Sequence, residues 1–95
     1  MNKIIIKLSF PATLTRLTDN PYGRVIFKEQ VADKIDYEQM NIIHFPDQII
    51  RASSSFVQGF FTEIVNSIGY DKLHNHISIE SINQSLRDSI WNNLL

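Results

Sequence analysis

Residues 53–69 read Ser-Ser-Ser-Phe-Val-Gln-Gly-Phe-Phe-Thr-Glu-Ile-Val-Asn-Ser-Ile-Gly. Phe56 and Val57, Phe60 and Phe61, and Ile64 and Val65 recur in pairs four apart, with Ile68 closing the series. At about 100° per residue they cover a stripe roughly 180° wide, which predicts one amphipathic helix against a core, from Ser55 to Ile68. Ser55 and Gln58 have capping-box spacing: the hydroxyl accepts from the third helical N–H while the amide reaches back to the cap. Gly69 supplies the residue that closes the other end, with Tyr70 placed to pack back on Val65.

Working outward, Met40 to Phe45 is an apolar run broken only by Asn41 and His44 and bounded by Pro46. It reads as a central strand covered on both faces, with His44 a hydrogen-bonded core residue. In Lys3 to Phe10, Ile4, Ile6, Leu8 and Phe10 point one way and Lys3, Ile5, Lys7 and Ser9 the other, as in a half-buried strand. Asn20-Pro21 suits a helix start, since Pro at the first position fixes φ and lacks only an orphan N–H. That helix should reach about Asp36, with Phe27, Val31, Ala32 and Ile35 on one face, although Arg24 to Phe27 would also suit the start of a strand. Tyr70 to Asn75 turns the chain, and Ile77 to Glu80 alternates as a third strand. Ser81 and Asn83 offer caps for a last helix with Leu86, Ile90, Trp91 and Leu94 buried. The order strand, helix, strand, helix, strand, helix implies an α/β domain: a small, mostly parallel or mixed sheet with helices packed on it.

The chain has 95 residues, enough for one core and so for a single domain spanning 1–95. Hydrophobic residues make up 43% and charged ones 20%, which argues against a disordered chain. A net charge of −1 and the lack of a Lys/Arg cluster argue against a nucleic-acid partner. Cysteine is absent, so disulfides, thiol nucleophiles and cysteine metal sites are excluded. The apolar run in Lys3 to Lys7 is too short for a secretory signal, and nothing approaches the ~20 apolar residues that span a bilayer. The expectation is a cytoplasmic protein without membrane partner or cofactor.

Met40 to Ile50, then Ser54-Ser55-Phe56 opening a helix closed by Gly69, together with Gly23-Arg24 in the first helix, resemble the STAS-like α/β regulatory domains of bacteria. The wider group includes anti-sigma-factor antagonists. The resemblance implies a STAS-like fold, a GHKL-type ATPase or kinase, or an anti-sigma-like regulator, as partner, and a phosphorylatable serine at the start of this helix. Ser55 is the matching position and Ser54 the next. Family members usually carry Asp where this chain has His44, acidic residues where it has Gln58 and Gly59, and, in the antagonists, Gly after the serine. One expectation is therefore the scaffold without the switch.

Capping alone would account for Ser55, while a phosphate at a helix N-terminus would be favoured by the dipole and would change what docks there. The outward face of the helix holds Gln58, Gly59, Thr62 and Asn66, with Glu63 at its margin and no Lys or Arg. A solvated helix face ordinarily carries charge, so Ser55, Gln58, Gly59, Thr62 and Asn66 are the candidate partner-binding residues, none of them expected to fill the core. Tolerance of small neutral residues is the other account of that face. His74 and His76, two apart, would point the same way on a strand as two metal ligands of a small enzyme or metal protein, with Asp71 or His44 as third. Surface histidines are the simpler reading. No phosphate loop or catalytic signature is present, so no catalytic residue is assigned and the chain reads as a binding protein, not an enzyme.

Overall fold

The computed structural model describes residues 3–94; Met1, Asn2 and Leu95, the ends of the 1–95 reading, lie outside the described residues. Three strands, β1 (Lys3–Lys7), β3 (Met40–His44) and β5 (Ile77–Glu80), form a parallel sheet in the order β1-β3-β5. The helices α1 (Asn20–Gln30), α2 (Ser54–Ile68), α3 (Leu73–His76) and α4 (Gln84–Leu94) complete an α/β domain. A two-residue parallel ladder, β2 (Arg16–Leu17) with β4 (Arg51–Ala52), joins the loops that precede α1 and α2. In sequence both stretches read as plain connections, because two residues carry no period.

β3 is central, as its apolar run implies, but it is covered on one face only. Ile6, Ile43, Ile77 and Ile79 are buried under the helices, whereas Met40, Ile42 and His44 are half-buried and Ile5 is 59% exposed. The reading of β3 as covered on both faces, with His44 in the core, is therefore corrected. His44 stands on the open face between Lys7 and Glu80 of the flanking strands. Asn41, on the covered face, is fully buried and satisfied. Its Oδ1 accepts from the Asp36 amide at 2.9 Å, and its Nδ2 donates to the carbonyls of Asp36, Gln39 and His76 at 2.8, 3.1 and 3.2 Å. One amide thus ties the entry to β3 to the start of β5.

α1 begins at Asn20-Pro21 as its sequence implies, but ends at Gln30 rather than near Asp36. The Val31 and Ala32 amides both donate to the Phe27 carbonyl at 2.9 Å, so the winding loosens there. The Gln30 side chain brackets the Ser9 backbone, accepting from its N–H at 2.7 Å and donating to its C=O at 2.8 Å. α2 packs on α1 around Phe60, whose ring lies 5.1–6.2 Å from those of Phe27, Phe45, Phe56 and Phe61. Such pairs contribute about 0.5–1.5 kcal/mol each beyond burial. The crossing is made possible by two glycines. A Cβ on Gly23 would collide with the Phe56 carbonyl oxygen and lie 2.7 Å from the Phe60 amide, and one on Gly59 would collide with the Asn20 carbonyl oxygen.

Gly69 ends α2 with φ 80°, ψ 163°, a positive-φ conformation open in practice to glycine. Its amide donates to the Val65 carbonyl at 2.8 Å. α4 is capped by Asn83, whose Oδ1 accepts from the Leu86 amide at 3.3 Å, while Ser81 Oγ accepts from the Asn83 amide at 3.0 Å. Leu86, Ile90 and Leu94 are buried, and Trp91 is half-buried beneath His74. Among the described residues no helix is long and apolar enough to cross a membrane.

Candidate functional site

The three serines preceding Phe56 compete for one capping position, and the surrounding backbone decides among them. The Ser53 amide donates to the Leu17 carbonyl at 2.8 Å, which holds Ser53 extended at the end of the β2–β4 ladder. Ser53 is consequently the N-cap, its Oγ accepting from the Phe56 amide at 3.1 Å. The Ser55–Gln58 capping box does not form, and helix α2 starts at Ser54 rather than Ser55. Ser54 and Ser55 are the first two helical residues and are exposed. Both hydroxyls are thereby open to solvent at the positive end of a 15-residue helix.

Gly59 is not on the outward face. It is buried against the Asn20 backbone at the α1–α2 crossing, where a bulky side chain would force the helices apart. The missing side chain answers to the close approach of α1, and neither a docking partner nor mere tolerance on a solvated face accounts for it. Gln58 and Asn66 are exposed and Thr62 half-buried, its Oγ1 donating to the Gln58 carbonyl at 2.6 Å. At offsets of four from Gln58 to Thr62 and from Thr62 to Asn66, the three form one polar ridge.

This ridge borders a groove of about 800 Å³. Phe61, Val65, Tyr70 and Leu94 supply apolar surface, and Asn20, Gln58, Thr62, Asn66 and Asn93 supply amides and a hydroxyl; no lining side chain is charged. Asn20 comes from α1, delivered by the Gly59 contact, and Asn93 from the end of α4. Sequence reasoning missed Asn20, Tyr70 and Asn93 because they belong to other elements and show no local pattern. It placed Gln58, Thr62 and Asn66 together, and the structure brings them together; Ser55 and Gly59 lie outside the groove lining. Amides both donate and accept, so a neutral groove of this kind suits the peptide groups and apolar side chains of another chain better than a charged metabolite.

On the other flank of Asn66 a shallower hollow of about 460 Å³ is bounded by Ile35, Tyr37, Glu63 and Ser67. Burial pushes the Tyr37 phenol above its usual range, the hydrogen bond with Ser67 opposes this, and the nearby Glu63 carboxylate adds to the rise. Tyr37 thus stays a protonated hydroxyl at neutral pH.

The histidine pair is not built as a strand-borne metal site. His74 and His76 lie in the single turn of α3, before β5 begins, where residues two apart diverge by ~200°. His74 stacks on Trp91 with ring centroids 4.1 Å apart. Among the described residues no group of three or more His, Asp or Glu side chains could hold a metal ion.

Comparison of the chain with protein-family models, with curated proteins and with solved structures finds no match. The STAS-like reading therefore rests on the residues quoted above.

Proposed function

We infer that this chain is a cytoplasmic regulatory protein that works by binding another protein along the outer face of α2, without catalysing a reaction. The observation that carries the reading is the groove beside Gln58, Thr62 and Asn66, lined by apolar side chains and neutral hydrogen-bonding groups and by no charged side chain. Interfaces are depleted of charged residues at their centre, and this lining carries none. The partner class, a GHKL-type ATPase or kinase or an anti-sigma-like regulator, follows from the STAS-like resemblance. The same resemblance nominates Ser55, then Ser54, as phosphorylation sites. Freed from capping, either hydroxyl can accept a phosphate without loss of the helix start, because Ser53 performs that task. The added charge of about −1.5 to −2 would sit at the favourable end of the helix dipole and within one turn of Gln58.

Affinity capture from the native host with wild type, Ser55→Asp and Asn66→Arg tests this, read by mass spectrometry for partner and phosphosite. A GHKL-type protein should be recovered by wild type and lost with Asn66→Arg, at unchanged melting temperature, since both positions are exposed. Equal recovery by all three proteins would show that α2 is not the docking surface. Recovery of no protein would remove the regulatory reading itself.

A further inference from the structure

The sheet has a second face, pointing away from every helix, whose residues fall into three rows. Strand register sets Lys3 beside Met40, then Ile5 beside Ile42 and Ser78, then Lys7 beside His44 and Glu80. None of these eight residues is buried, and Lys3, Ile5, Lys7 and Glu80 are exposed. All-parallel sheets are ordinarily covered on both faces. We propose that this face binds a second copy of the chain, in a two-fold dimer whose axis runs parallel to β3 between two stacked sheets.

The charge pattern selects that arrangement. Within one chain Lys7 and Glu80 lie on opposite edge strands, two strand spacings or about 9.6 Å apart. A two-fold parallel to the strands lays β1 of each copy over β5 of the other, which sets Lys7 against the other copy's Glu80 twice. It also puts Ile42 against its own counterpart at the axis and Ile5 over Ser78. A two-fold perpendicular to the strands would instead lay β1 on β1 and set Lys7 against Lys3, cation on cation. Sheets stacked in the first way keep their strands nearly aligned, as in sandwiches. The face measures about 14 by 16 Å from strand spacing and rise. That is well under the roughly 800 Å² per side of a stable complex, so the dimer is a weak one that forms at high concentration. It leaves α2 facing outward in both copies and does not depend on what binds there.

Sedimentation equilibrium of the full chain from 10 µM to 1 mM is the test, with Lys7→Glu and Glu80→Lys measured singly and as an equimolar mixture. Both positions are exposed, and a melt of each variant verifies that it folds. Wild type should dimerise within this range, and each single variant should associate at least tenfold more weakly, since each sets like charges together twice. The mixture should recover dimer, because the carboxylate introduced by Lys7→Glu then meets the ammonium introduced by Glu80→Lys, while the unchanged Glu80 of the first variant meets the unchanged Lys7 of the second. Wild type that stays monomeric to 1 mM, single variants that dimerise as wild type does, or a mixture no more associated than its components would each overturn the proposal.

Discussion

Gly59→Ala is the substitution for which intrinsic propensity and packing predict opposite signs. In an open helix interior the change stabilises by about 0.5–1 kcal/mol. Here the new Cβ would collide with the Asn20 carbonyl oxygen and lie 2.9 Å from its carbonyl carbon and 3.0 Å from its Cα, all backbone atoms that no rotamer change can move. Relief requires the start of α1 to lift away from α2. That motion loosens the Phe27–Phe60 pair at 6.0 Å and the Tyr22–Phe56 pair at 5.9 Å, which bridge the same two helices. Overpacking costs about 1–3 kcal/mol, and partial loss of two aromatic pairs about 1 kcal/mol more. After subtracting the propensity gain, the net loss is about 1–3.5 kcal/mol, or a fall in Tm of roughly 4–28 °C for a domain of this size. Urea and thermal denaturation followed by circular dichroism measure it, with an unchanged m-value required for the two-state comparison. A Gly59→Ala protein as stable as wild type, or more so, would refute the close crossing and return Gly59 to the solvent-facing surface.

Ser53→Ala should cost about 1 kcal/mol by removing the α2 cap, whereas Ser55→Ala should stay within a few tenths; denaturant midpoints of the two variants distinguish this cap from one at Ser55. Asn41→Leu, close in volume, should lose about 2–4 kcal/mol because the Asp36 amide and the carbonyls of Asp36, Gln39 and His76 lose their partner in the interior. Tyr37 has a pKa raised on folding, so the neutral form is favoured in the native state. Its contribution is fully present below the unfolded value near 10 and lost as pH rises through the folded value. Stability measured by urea denaturation should therefore fall with a steeper alkaline slope in wild type than in Tyr37→Phe.

What could be read from the chain alone depended on how many residues shared one period. α2 carries seven apolar positions at helical spacing, Pro46 bounds β3 and β5 alternates without a break, so these elements lie within one residue of where the pattern places them. The end of α1 is not legible because no Gly or Pro marks it: the last turn closes on a bifurcated bond at Phe27, and Gln30 grips Ser9, a tertiary contact. The choice among Ser53, Ser54 and Ser55 was hidden for the same reason, since it depends on the Leu17 carbonyl, 36 residues earlier in the chain. A glycine in an amphipathic helix signals close approach, but not what approaches. His44 looked like a core residue because its neighbours are apolar, although in a sheet covered on one side alternate residues of even the central strand face water.

The Gly59 contact also links the core to the candidate site. Asn20 is both the residue pressed against Gly59 and a wall of the groove, so the spacing of α1 from α2 sets the groove width at that end. The Asn20 side chain is fixed in turn, its Oδ1 accepting from Arg24 Nε at 2.8 Å one turn along α1. A wall built on a backbone–backbone crossing is rigid, and rigid walls lower the ordering cost that association must overcome. The backbone that carries Gln58, Thr62 and Asn66 is equally fixed, lying on the helix whose opposite face contributes Phe56, Phe60 and Ile64 to the core. Tyr70, 58% exposed and just past the positive-φ residue Gly69, has room to move over the groove. On the proposed reading, binding should be accompanied by reorientation of the Tyr70 ring rather than of the helices, and a charge added at Ser55 should act on what docks without moving α1 against α2.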